Sequence, residues 1–259
     1  YELSVGCHVH FLSRLPSPKI IMQALAEVKP NIVIAVPLVI EKIYKTKVKP
    51  ILEKEGIKFL MKVPGLDQIV LNKVKTELIN AFGGEFYEVI IGGAAFNKEV
   101  EAFFKRMGFP FTVGYGMTEC APIITYDDWK DEKLYSCGKA APNMEVRIAS
   151  ADPVNIPGEI QVKGANVFLG YYKNETATSE VFTEDGWFRT GDMGVLDADG
   201  SLFIKGRTKC MILGPSGQNI YPEEVETVLN SQPYVVDSLV IEDDGGLTAL
   251  IYPDFAQGA

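Results

Sequence analysis

Histidine is nearly absent from this chain, with only His8 and His10 in 259 residues. Two imidazoles and four scattered cysteines (Cys7, Cys120, Cys137, Cys210) offer no zinc-ligand spacing and no paired disulfide framework, so the simplest setting is reduced and cytoplasmic. His8 and His10 share one face of an expected strand over Cys7–Leu12, and with no third ligand nearby they are assigned to packing or surface. Positive charge is also short: 25 Lys and Arg against 34 Asp and Glu leave a net charge of −9, which argues against nucleic-acid binding. Long apolar runs are missing too. The longest, Ile32 to Ile40, contains Pro37 and cannot span a bilayer. There is no initiating methionine and no visible secretory leader, which reads as a fragment of a longer protein. What the chain has is a 47% apolar composition, enough for one large or two ordinary globular domains.

Up to about residue 135, strand and helix patterns alternate. A helix is expected over Lys19–Val28 and a central strand over Ile32–Val36, followed by a helix opened by Pro37. Residues 51–65 are broken by Gly56, Pro64 and Gly65. Leu66–Phe82 is the clearest helix, with Leu66, Ile69, Val70, Val74 and Leu78 on its apolar face and Gly83-Gly84 as its stop. The lysines between Lys42 and Lys49 read as a solvated helix face, with a peripheral membrane surface as the alternative. Next come a strand (Phe86–Ile91), a small-residue loop (Gly92-Gly93-Ala94-Ala95), a helix capped by Asn97 and ended by Gly108, and a strand (Phe109–Val113). This is a βαβ crossover, so its strands are expected to be parallel and both following loops to lie at the carboxyl edge, where open α/β sheets bind ligands.

The second of those loops carries Gly114-Tyr115-Gly116-Met117-Thr118-Glu119. Its glycines let a ligand approach, and the tyrosine between them presents a face on which a purine can stack. Thr118 suits a phosphate oxygen and Glu119 a divalent cation. A glycine-rich turn with an incidental acid is the plain alternative, and the neighbouring crossover favours the nucleotide site.

Beyond residue 135 the pattern turns to short strands: Met144–Ile148, Gly158–Val162, Val167–Tyr172, and a hairpin of Val195-Leu196 with Leu202–Ile204. This texture suggests a small barrel-like or sandwich subdomain. Arg189-Thr190-Gly191-Asp192 is read as a strand end whose carboxylate can accept two ribose hydroxyls. Arg207, after the hairpin, can reach ribose or phosphate oxygens. Taken singly, the preferred reading of each is the plain one, a turn residue for the aspartate and a surface charge for the arginine. After Arg207 a short helix (Glu223–Asn230) and a second hairpin around Asp243–Gly246 begin another small α+β domain. The expected architecture is α/β: residues 1–135 a parallel sheet with flanking helices, 136–207 a β-rich subdomain of the same domain, and 208–259 the start of a small C-terminal domain.

The ordered series GGAAF, GYGMTE, GWFRTGD, IKGRTK and GQNIYPEEVE resembles the adenylate-forming superfamily. FLSRLPSP and VPLVIEKIYKTKV are similar to its long-chain fatty acyl-CoA synthetase branch. The resemblance implies an ATP-dependent, AMP-forming ligase that uses Mg2+, joins a fatty acid to coenzyme A, and works in the cytoplasm. An acyl carrier protein as acceptor and a catalytically silent nucleotide- or acyl-binding module remain alternatives. By position, Gly93 and Ala94 would flank adenine and Tyr115, between Gly114 and Gly116, would stack on it. Thr118 would meet phosphate, Glu119 would hold magnesium, and Asp192 and Arg207 would take the ribose. Lys209 matches the hinge of the family's small domain, and Gly217 the loop that approaches the coenzyme A channel. Nothing before Gly92 resembles the family's phosphate-cradling loop, and the family's C-terminal lysine lies beyond the last residue here. An isolated segment of this kind is expected to be catalytically incompetent and, with a sheet edge uncovered, prone to self-association.

Overall fold

Proline at the first turn of a helix gives up only an amide that has no helical partner anyway, and both Pro37 and Pro222 are used this way. The computed structural model describes residues 6–12, 18–214, 218–243, 245–253 and 255. They fall into two compact units, one within residues 1–96 and 102–111 and the other within residues 97–101 and 112–259.

In the first unit, helix α1 (Pro18–Val28) leads to strand β1 (Ile32–Ala35). Helix α2 (Pro37–Ile43) continues through a wider, π-type turn at Tyr44–Val48 into α3 (Lys49–Leu52). Helix α4 (Glu55–Leu60) fills the stretch that the sequence left unplaced, and α5 (Leu66–Ala81) follows. The buried face of α5 is Val70, Leu71, Val74 and Leu78, whereas the predicted Leu66 and Ile69 are 39% and 65% exposed. The stripe is thus turned toward Leu71 and Leu78, two helical turns apart.

Strand β2 (Glu88–Ile91), helix α6 (Lys98–Met107) and strand β3 (Phe111–Val113) form the expected crossover. Asn97 Oδ1 accepts from the amides of Glu99 and Val100, as its capping role requires, and Gly108 takes φ +65° where the helix ends. The sheet order is β1-β2-β3, with β1 parallel to β2 in the register Ile32↔Glu88. Strand β1, predicted to be central, is therefore an edge strand among the described residues, and its Ile32 and Ile34 are largely exposed. The core of this unit is aromatic: Phe82, Phe104 and Phe109 are almost wholly buried, and the Phe104 and Phe109 rings lie 4.8 Å apart. Residues 7–12 were expected to form a strand but pair with nothing regular. His8 and His10 still lie together there, with ring centroids 4.3 Å apart.

The second unit begins with β4 (Tyr115–Gly116), a 3-10 turn at Thr118–Cys120, β5 (Ile123–Tyr126) and β6 (Lys139–Ala140), which form the antiparallel sheet β4-β5-β6. Strands β7 (Met144–Ala149) and β8 (Gly158–Gly164), helix α7 (Glu175–Val181), and strands β9 (Phe188–Leu196) and β10 (Leu202–Arg207) follow. Their sheet has the order β10-β9-β8-β7, antiparallel throughout. It is open: the barrel-like reading gives way to two separate antiparallel sheets, with no closed barrel among the described residues. A common core of Tyr115, Cys120, Ile124, Ile160, Val162, Phe188 and Leu202 joins them.

Residues 167–172, predicted as a strand, are a loop, because the backbone hydrogen-bonding groups there are used elsewhere: the Phe168 amide donates to the Glu119 carbonyl. Leu169 in the same loop is fully exposed. Helix α7 went unread because it is short and holds two threonines, poor helix formers; its signal was Asn174, whose side chain caps it. Short strands β11 (Ile212–Leu213) and β12 (Asn219–Ile220) pair with each other, and helix α8 (Pro222–Asn230) follows. The hairpin of β13 (Val235–Asp243) and β14 (Gly246–Pro253) forms where the sequence placed it.

Candidate nucleotide site

Within the second unit the fold joins two segments 77 residues apart in sequence: Tyr115 Oη donates to Asp192 Oδ2 at 2.6 Å, with both residues buried. Tyr115 leads off β4, and its ring sits inside the common core, only 8% exposed. The sequence suggested an open aromatic face. The structure instead packs the ring and uses the hydroxyl, which had been given no task. Burial first, and the Asp192 charge second, push the phenol well above its ordinary value, so it remains a donor. Gly116 is needed beside it, since a Cβ there would overlap the Pro122 carbonyl.

Asp192 was read as the end of a strand and is instead in the middle of β9, directly opposite Arg207 of β10. Gly191, at φ +74°, permits the irregular backbone that sets the carboxylate there. Its second oxygen, Oδ1, pairs with Arg207 Nε at 3.2 Å; the arginine side chain is 67% exposed and the aspartate side chain 9%. Thr190, which the sequence did not single out, completes the support. Its hydroxyl accepts from the Asp192 amide at 3.1 Å and donates to the Ile160 carbonyl at 2.8 Å. A buried carboxylate needs such partners. Each of its oxygens retains a further lone pair, so a diol could still be bound.

Thr118 and Glu119 lie in the 3-10 turn, the former exposed and the latter half-buried. Glu119 Oε1 accepts from Tyr171 Oη at 2.9 Å, while Oε2 has no hydrogen-bond partner among the described residues. Burial and the neighbouring glutamate raise the Tyr171 phenol above its usual value. Among the described residues no group of three or more His, Cys, Asp or Glu could hold a metal unaided. One carboxylate with a spare oxygen next to a hydroxyl fits a magnesium ion that arrives with nucleotide phosphates and keeps water as its other ligands. Cys120, the next residue, is chemically quiet: burial pushes its thiol up to about 11.

The remaining sequence-predicted positions are more scattered. Gly93, at φ +88°, and Ala94 are exposed in the loop after β2 and belong to the first unit. Lys209 is exposed in a 3-10 turn at Thr208–Cys210, immediately after β10. Gly217 lies outside the described residues. No helix of the described residues is long and apolar enough to cross a membrane.

Comparison with known proteins gives this arrangement a family. The family model described as AMP-binding enzyme matches residues 2–172. Long-chain-fatty-acid–CoA ligase FadD15 of Mycobacterium bovis is 32% identical over 249 residues, covering 87% of this chain and 40% of that protein. The chain thus spans about 40% of the length of that curated relative. Among solved structures, O-succinylbenzoate coenzyme A synthetase (MenE) of Bacillus subtilis in complex with AMP aligns with a TM-score of 0.74 and 25% identity, covering 99% of this chain and 48% of that one. The same enzyme in complex with ATP and magnesium ion aligns with a TM-score of 0.68 and 27% identity, covering 91% and 44%. The chain belongs to the AMP-binding enzyme family.

Proposed function

We propose that this chain is the central part of an ATP-dependent, AMP-forming acid–thiol ligase acting on a fatty acid, with coenzyme A as the acceptor. The observation that carries the reading is the buried Asp192 carboxylate, oriented by Tyr115, Thr190 and Arg207 in the same unit as Glu119. Asp192, held by the Tyr115 hydroxyl, would take the ribose hydroxyls, and Arg207 the ribose or a phosphate oxygen. Thr118 would donate to phosphate, and Glu119 would hold Mg2+. When bound, that ion would neutralise phosphate charge and fix its geometry.

In the reaction a substrate carboxylate oxygen attacks the α-phosphorus of ATP. The new P–O bond forms as the bond to pyrophosphate breaks, leaving an acyl-adenylate. A thiolate then attacks the acyl carbonyl and AMP departs. The fatty-acid assignment leans on the long-chain relative, whereas the MenE likeness supports only acid–CoA ligase chemistry in general.

The test is pyrophosphate release by the complete gene product over a panel of carboxylic acids, with coenzyme A and an acyl carrier protein as alternative acceptors. Long-chain acids should give the highest kcat/KM and coenzyme A should be the acceptor used. No acid-dependent release from a folded, nucleotide-binding protein would leave only a silent binding module. In the same assay the 259-residue chain alone should release no pyrophosphate, since no stretch of it resembles the phosphate-cradling loop. Turnover within about a hundredfold of the complete protein would contradict this.

Lys209 is proposed as the hinge through which the small domain turns between the two half-reactions. Lys209→Pro, which locks φ and removes an amide, should slow thioester formation more than adenylation. Equal slowing of both steps would remove the hinge from this position.

A further inference from the structure

Four hydrogen bonds tie the loop that begins at Asn166 to the turn that carries Glu119. Asn166 Nδ2 donates to the carbonyls of Cys120 at 2.6 Å and Ile123 at 3.0 Å, and the Phe168 amide donates to the Glu119 carbonyl at 2.7 Å. These three end on main-chain oxygens, two from the Asn166 side chain and one from the Phe168 amide. The fourth is different in kind: Tyr171 Oη donates to Glu119 Oε1, a side-chain atom of the residue assigned to the cation.

Tyr171 is itself anchored from behind. Its amide donates to Thr178 Oγ1 at 2.9 Å, on the helix that Asn174 caps. Gly170 lets the loop pass that helix, since a Cβ there would run into the Thr178 side chain. Phe168 packs its ring against Phe182 and Phe188, at 5.9 and 5.3 Å. These contacts hold the loop independently of the phenol–carboxylate bond, which leaves that bond free to serve Glu119.

The geometry points to Tyr171 as a positioning residue for Glu119: its hydroxyl fixes one carboxylate oxygen so that the other is ready to ligate a divalent cation bound with nucleotide phosphates. An unrestrained glutamate would have to give up side-chain freedom when the cation binds; a carboxylate already held by a rigid phenol gives up less. Hydrogen-bond partners of metal ligands typically affect metal affinity by about 10–100-fold. The inference rests on the reading of Glu119 as the cation ligand, and the two can fail separately.

The experiment titrates Mn2+ by electron paramagnetic resonance into the complete gene product bound to α,β-methylene-ATP, for the wild type, Tyr171→Phe, Glu119→Gln and the double variant. Tyr171→Phe keeps the ring, and thermal melting checks that it folds. Tyr171→Phe should weaken Mn2+ binding by about tenfold, with nucleotide affinity in EDTA unchanged. It should add nothing in the Glu119→Gln background, because both changes act on one carboxylate. Mn2+ affinity within twofold of wild type in Tyr171→Phe, alongside clear loss in Glu119→Gln, would overturn the positioning role and leave the cation reading standing. An equal loss from Tyr171→Phe with and without Glu119 would assign the effect to the loop and likewise overturn it. No loss in either single variant would remove Glu119 from the cation site and the inference with it.

Discussion

The second unit holds the two carboxylates proposed for ribose and cation in opposite ways. Asp192 is in the middle of a strand, buried, with both oxygens and its amide engaged by Tyr115, Arg207 and Thr190. Glu119 is in a short turn, half-buried, and held at a single oxygen by Tyr171. The difference follows from solvation. A charge away from water must be met by fixed donors, so the fold itself sets its position. A charge still in contact with water needs only enough restraint to be ready for its ligand. Recognition of a neutral sugar suits the first arrangement, and capture of a hydrated cation suits the second.

The contrast breaks most visibly at Asp192. Replacing it by alanine is expected to lower nucleotide affinity of the complete protein at least tenfold by calorimetry, since each hydrogen bond to a charged group is worth about 1.5–3 kcal/mol. The variant should also melt earlier, because the buried Tyr115 hydroxyl loses its acceptor. The loss should be smaller for 2′-deoxy-ATP than for ATP, and unchanged affinity for both would take Asp192 out of the site.

A smaller effect is expected at Tyr115. The phenylalanine variant keeps the packed ring and removes only the donor, leaving one Asp192 oxygen short of a partner at a cost of about 1–3 kcal/mol. Chemical denaturation should show a lower midpoint with an unchanged slope. A midpoint equal to wild type would mean that the bond contributes nothing to holding the carboxylate.

The smallest change in stability is expected at Glu119. Glu119→Gln should leave the unfolding free energy within about 0.5 kcal/mol of wild type, as for other substitutions that touch no buried network. Magnesium-dependent ATP binding should nevertheless fall in the same variant. A destabilisation as large as that of Tyr115→Phe would erase the contrast between the two carboxylates.

Much was legible in advance because it depends on neighbours in the chain. The proline-opened helices, the Asn97 cap, the Gly108 stop and the hairpins at 197–200 and 243–246 follow from local backbone preferences, and the structure contains each of them. The glycines around Tyr115, the carboxylates at 119 and 192 and the arginine at 207 could likewise be picked out by residue type and spacing. Three things could not. Strand β1 lies at a sheet edge because strand order depends on which partners pair, and an apolar run reads alike at the centre and at the edge. Residues 167–172 form a loop because their backbone is spent on a turn some fifty residues earlier, a competition invisible to local pattern. Tyr115 donates to Asp192, and Tyr171 to Glu119, across 77 and 52 residues of sequence. Sequence thus determined which groups were present for the proposed nucleotide site. Tertiary structure alone decided which of them would be locked and which left adaptable, because burial and long-range hydrogen bonds exist only once distant segments have packed together.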